Sequence, residues 1–116
     1  MKHSFDINPD ISLAKTLPSS FYRDEKIFDQ IRENIFLKSW QFIDDNSQIK
    51  LNNSYLPKTI LDGFLTEPIV LTRDNNSKIH CLTNVCTHRG NIVAMGPGKS
   101  KKLTCCYHGR TFELDG

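Results

Sequence analysis

The chain reads as a mainly β fold preceded by one N-terminal α-helix, and three observations carry that reading. Apolar residues recur at the 3–4 spacing of a helix through "RDEKIFDQIRENIFLKSW". Beyond residue 54 the pattern switches to period two and to β-branched residues, as strands require. Between the later strands stand two short loops, "NVCTHRGNIV" and "CCYHGRTF", each carrying cysteine and histidine within a few residues.

Each element can be justified in order. The polar opening ends in "LPSS", whose proline and serines mark a boundary. The helix follows, with Ile27, Phe28, Ile31, Ile35 and Phe36 on one face and Asp24 as its N-cap. Trp40 and Phe42 then alternate with polar neighbours, which predicts a short strand. "YLPKTIL", "PIVLTR" and "SKIHCLTNV" read as strands. The last two form a hairpin through "DNNS", since Asn and Asp tolerate the left-handed conformation. "NIVA" and "KKLTC" flank "MGPGKS", whose Gly-Pro-Gly predicts a tight connection. "RTFEL" is a final short strand entering a "DG" turn.

Composition bounds the function. A chain of 116 residues holds one modest domain with a small core. Apolar content of 38% and charged content of 24% are those of an ordinary soluble protein. A net charge of +2 is too slight to argue for a nucleic-acid or membrane partner, and neither is expected. No apolar run approaches the roughly 20 residues of a membrane span. "MKHSFDINPDISLAK" lacks the apolar stretch of a secretory signal, so a cytoplasmic location with reduced thiols is expected. Cys81, Cys86, Cys105 and Cys106 then read as metal ligands or free thiols rather than disulfides.

The chemistry concentrates in one pattern. Cys86-Thr87-His88 is followed after sixteen residues by Cys105-Cys106-Tyr107-His108, or C-x-H-x16-C-x2-H. Thiolates and imidazoles suit soft or borderline metals. Chance is one explanation and a structural zinc site another. Common zinc spacings, however, put two thiols on one knuckle and two imidazoles on a helix. A redox disulfide would want C-x-x-C, which is absent. A [2Fe–2S] centre with two thiolates on one iron and two imidazoles on the other needs mixed loops of this kind.

The two loops resemble the Rieske signature. That resemblance implies a Rieske-type antiparallel β-sandwich with cluster-binding hairpin loops. It further implies Cys86 and Cys105 on the inner iron, His88 and His108 on the outer iron, and no catalytic residue in this chain. Two thiolates, two neutral imidazoles and an oxidised core sum to zero charge, so an electron is accepted more readily than at a four-thiolate centre. The expected potential lies at roughly −150 to +300 mV, and it should fall as pH rises through the ionisation of the ligands. Respiratory Rieske proteins carry a further disulfide between the loops, but here "HRGNIV" has no cysteine and Tyr107 precedes His108. The resemblance is therefore to the oxygenase and ferredoxin class.

"LPSSFYRDEKIFDQIRENIFLKSWQFI" and "PIVLTRDNNSKIHCLTNVCTHRG" are similar to the opening of aromatic-ring-hydroxylating oxygenase α subunits. The likeness covers residues 17 to 116, with 1–38 as an N-terminal extension and helix and 39–116 as the Rieske domain. Cys106 stands where that family commonly has Pro, Arg110 where it has Trp, and Asn75 and Asn76 where it has a turn Gly. The gap of two residues to His108 favours Cys105 over Cys106 as ligand, which leaves Cys106 as a spare thiol. Cys81 is expected in the core and His80 on the surface of a strand. His3 is expected in a flexible end, and Arg89 and Gly90 either shape the first loop and screen the reduced centre or play a plain turn role.

Only eight residues follow His108, so the chain is expected to be the N-terminal part of an α subunit, lacking C-terminal strands and leaving an open apolar edge. The mononuclear iron of such oxygenases, held by two His and a carboxylate, belongs to the absent part. Aromatic or quaternary-amine substrates, a reductase or ferredoxin donor, and assembly as a homotrimer are implied by the resemblance alone. Lys99, Lys101 and Lys102 form a basic turn that either steers an acidic donor or is simply solvated. A standalone Rieske-type ferredoxin and a zinc-stabilised binding module are the competing functions.

Overall fold

The computed structural model describes residues 5–116, which fall into two compact units, residues 5–40 and residues 41–116. His3 lies outside the described residues. In the first unit, helix α1 spans Glu25–Asn34. Asp24 caps it by accepting the Lys26 N–H, which satisfies one of the orphan donors of the first turn. Of the apolar stripe only Ile27 is buried, and α1 passes into a 3₁₀ turn at Phe36–Lys38.

The second unit holds a four-stranded antiparallel sheet of order β3-β2-β1-β4 and a two-stranded sheet β5-β6. The strands are β1 Ser54–Ile60, β2 Glu67–Arg73, β3 Ile79–Thr83, β4 Gly98–Lys99, β5 Lys102–Thr104 and β6 Thr111–Glu113. The fold is mainly antiparallel β with one N-terminal helix. Strand β2 explains how the unit has a core at all. Its run Ile69-Val70-Leu71-Thr72 is buried on both faces, as a central strand covered on two sides must be. Ile69 and Leu71 join Ile49 and Leu56 on one face, while Val70 joins Ala94, Leu103 and Leu114 on the other. Fully buried Thr72 donates its hydroxyl to the Leu114 carbonyl, so the residues after β6 are stitched to the larger sheet.

Several elements differ from expectation. Trp40 and Phe42 are almost wholly exposed and form no strand, because neither finds a ladder partner. In the β2–β3 hairpin it is Ser77, not Asn75 or Asn76, that takes the left-handed conformation, at φ 65°. The reason is local. The Asp74 carboxylate accepts the N–H groups of Asn76 and Lys78, holding the Asn residues in an ordinary turn and passing the reversal to Ser77. "NIVA" contributes one bridge, Val85 to Ile92. Strand β4 pairs with β1 over two residues, Ser54 with Lys99 and Tyr55 with Gly98.

Cys81 is exposed rather than in the core. Period two sends its neighbours to the inner face instead, and Leu82 packs against the Val70 cluster. Desolvation by neighbouring groups raises the Cys81 thiol above its ordinary range. His80 is largely covered, its Nε2 lying 2.9 Å from Asp74 Oδ2. Beside edge strand β3 opens an apolar groove of about 320 Å³, lined by Leu82, Val85, Val93, Leu103 and Phe112. Among the described residues no helix is long and apolar enough to cross a membrane.

Candidate metal centre

Two loops of one conformation carry the Cys-His pairs. In the first, the Cys86 N–H donates to the Asn91 carbonyl (2.8 Å) and the Gly90 N–H to the Cys86 carbonyl (2.9 Å). In the second, the Cys105 N–H donates to the Arg110 carbonyl (2.8 Å) and the Gly109 N–H to the Cys105 carbonyl (2.9 Å). Closing the loop over five residues needs a left-handed residue at the fifth position. Gly90 and Gly109 supply it at φ 71° and 73°. The sequence motif is thus a backbone requirement as well as a set of candidate ligands.

The first loop is anchored by a residue that sequence reasoning passed over. Buried Asn84 donates its side-chain amide to the Ala94 carbonyl and accepts the Ala94 N–H, both at 2.8 Å. These bonds tie the two ends of the loop together in the core. A polar residue inside the apolar run "CLTNV" was the available signal.

The four expected side chains meet as two pairs at different depths. Cys86 and Cys105 are buried, with their thiols within hydrogen-bonding reach of each other. His88 and His108 are exposed, their ring centroids 4.9 Å apart and nearly edge to face. Tyr107, itself exposed, lies against His108 at 4.0 Å. The Tyr107 backbone N–H, above all, holds the Cys105 thiol below its ordinary range. The Cys86 thiol, the Asn91 amide and the His108 N–H add to this against the opposing cost of burial. Cys106 is exposed, so of the two adjacent thiols Cys105 alone sits beside Cys86.

A single zinc needs its ligands at about 2.0–2.3 Å from one point. Among the described residues no three His, Cys, Asp or Glu form a group that could hold one metal ion of any kind. A diiron core divides four ligands between two metal atoms, soft sulfur on one and borderline nitrogen on the other. The donor set, a buried thiol pair beside an exposed imidazole pair, fits that division. The basic turn is less basic than its composition implies, because Lys102 pairs with Glu113 at 2.6 Å.

A two-sheet β unit that presents a thiol pair and an imidazole pair on twin loops defines a class of iron–sulfur protein. A model of the Rieske [2Fe-2S] domain matches residues 39–116, and the chain belongs to that family. It is 37% identical to the carnitine monooxygenase oxygenase subunits of Acinetobacter baumannii and Escherichia coli K12, over all of this chain and 30% of theirs. To the chloroplastic choline monooxygenase of Spinacia oleracea it is 36% identical over 98% of this chain and 25% of that protein. The solved quaternary ammonium Rieske monooxygenase CntA superposes with a TM-score of 0.80 at 33% identity, covering 97% of this chain and 32% of that one. Naphthalene 1,2-dioxygenase superposes at 0.68 with 29% identity, over 80% and 20%. The chain therefore spans about a third or less of the length of the relatives it matches, and it corresponds to the N-terminal part of Rieske oxygenase α subunits.

Proposed function

We propose that this chain is the electron-transfer part of a Rieske oxygenase α subunit. Residues 39–116 form its cluster-carrying domain and residues 1–38 an N-terminal extension. Cys86 and Cys105 hold the inner iron of a [2Fe–2S] cluster, and His88 and His108 the outer one. The observation that carries this is the depth ordering: buried adjacent thiols beneath two exposed imidazoles only 4.9 Å apart. When bound, the cluster supplies reversible one-electron chemistry, accepting an electron from a donor and releasing it to an acceptor.

The chain's own residues do the rest. In the second loop the backbone N–H groups of Tyr107 and His108 point at the Cys105 sulfur, which stabilises charge on it. The protein buries the thiols and so keeps water from the sulfur end, while the exposed imidazole edge gives a reductase or ferredoxin a short path. Lys99 and Lys101 remain on that domain's surface to attract an acidic donor. In the parent protein the electron serves oxygen activation in a part this chain does not include. A quaternary ammonium substrate is favoured over an aromatic one, because the relatives at 36–37% identity act on carnitine and choline.

Substitution of the two adjacent cysteines tests the assignment. Cys105→Ser should lose nearly all bound iron and acid-labile sulfide, whereas Cys106→Ser should keep both and the visible spectrum. Iron retained in Cys105→Ser and lost in Cys106→Ser would overturn the ligand set. Tightly held zinc with no acid-labile sulfide in the parent chain would favour the zinc module instead.

A further inference from the structure

We infer that Asn91 is a positioning residue that clamps the two loops together and raises the reduction potential of the centre. The inference rests on the ligand assignment under Proposed function. Asn91 is half-buried at the end of the first loop. Its backbone carbonyl accepts the Cys86 N–H at 2.8 Å, closing the loop that bears one thiol. Its side-chain nitrogen crosses to the other loop, 3.7 Å from Cys105 Sγ and 3.6 Å from Cys106 Sγ. Those lengths suit the larger sulfur atom as acceptor. The same nitrogen lies 2.8 Å from the Ile92 carbonyl. A carbonyl can only accept and the amide oxygen cannot donate, so this contact fixes which end of the amide faces the sulfurs.

One residue thus touches the chemistry of both thiols, one through its backbone and one through its side chain. The corresponding position of the second loop does nothing similar: the Arg110 guanidinium lies over the Phe112 ring at 5.7 Å. A donor aimed at an inner-iron sulfur has a definite electrical consequence. Reduction adds negative charge that spreads onto the ligating sulfurs, and an N–H pointed at one of them stabilises the reduced state more than the oxidised state. Cys106 Sγ is a second acceptor for the same amide, so the spare thiol shares the hydrogen-bond network of the ligand beside it.

The test is the reduction potential of the iron-loaded whole chain, with its visible and paramagnetic resonance spectra, in Asn91→Gln, Asn91→Leu and Asn91→Asp. Asn91→Leu removes the donor and should shift the reduction equilibrium about tenfold toward the oxidised form, about 59 mV for a one-electron couple. Asn91→Asp keeps the size but brings a carboxylate to the sulfurs, and should lower the potential further. Asn91→Gln retains an amide and should stay within about twofold of the parent. If the leucine variant does not load iron, the aspartate variant, matched in size, carries the measurement. An unchanged potential in the loaded aspartate variant overturns the inference. So does loss of the centre in all three variants, glutamine included, which would make the side chain a matter of shape alone. A parent chain without any iron–sulfur signal instead overturns the ligand assignment itself, a result distinct from either of these.

Discussion

Residues 86–91 and 105–110 follow the same backbone path with different side chains on it. Each loop closes through the same two hydrogen bonds, with lengths agreeing within 0.1 Å, and each turns on a left-handed glycine. The histidine stands third in one loop and fourth in the other, yet the two rings meet at 4.9 Å. The comparison separates two duties. Glycine and the hydrogen bonds determine the shape of the loop, and that shape is duplicated. Side chains determine what the loop holds, and these are not duplicated: Asn91 bonds to sulfur where Arg110 covers a phenylalanine.

If the shared shape comes from the glycines alone, substituting either should cost the same. An added Cβ meets nothing within 4 Å at Gly90 or Gly109, so Gly→Ala is penalised only by the left-handed backbone. Each variant should lose about 1–2 kcal/mol of stability. Denaturant unfolding of the two proteins checks this, and a cost confined to one loop would break the equivalence.

The β2–β3 hairpin sharpens the contrast, because it reverses without glycine. There Asp74 does by hydrogen bonding what Gly90 and Gly109 do by freedom of backbone. The bond to His80, first, and the N–H groups of Lys78 and Asn76 hold its carboxyl below the usual carboxylate range, against the cost of desolvation. A carboxyl lowered in the folded state contributes stability that is full above its ordinary pKa of about 3.9 and is lost as pH falls through the lowered value. The effect should be smaller than that of the glycine substitutions. Stability measured against pH should fall across that acid window in the parent and fall less in Asp74→Asn. Identical acid profiles would remove Asp74 from the account of the turn.

Sequence pattern revealed the elements whose cause is local and missed those whose cause lies across the sheet. The α1 cap at Asp24, the central strand β2 and both Cys-His loops announce themselves through spacing and residue type. Trp40 and Phe42 alternate as a strand would, but alternation supplies no ladder partner. Cys81 reads as core because it is a small residue on an expected strand, and only the register, which turns Leu82 inward, sends it to the surface. Ser77 became the left-handed residue through a carboxylate three positions away. At the candidate centre the four expected ligands come together as pairs. Of their supporting residues, Asn84 signals itself only as a polar residue within an apolar run, and Asn91 looks like turn chemistry until its distant partners are known.

The central claim is that nitrogen binds one iron and sulfur the other, and electron–nuclear resonance on the reduced chain grown with ¹⁵N-histidine reads it most directly. The account predicts hyperfine couplings from two imidazole nitrogens, one lost in a His88 variant and the other in a His108 variant. A reduced diiron signal with no histidine nitrogen coupled to it would contradict the account.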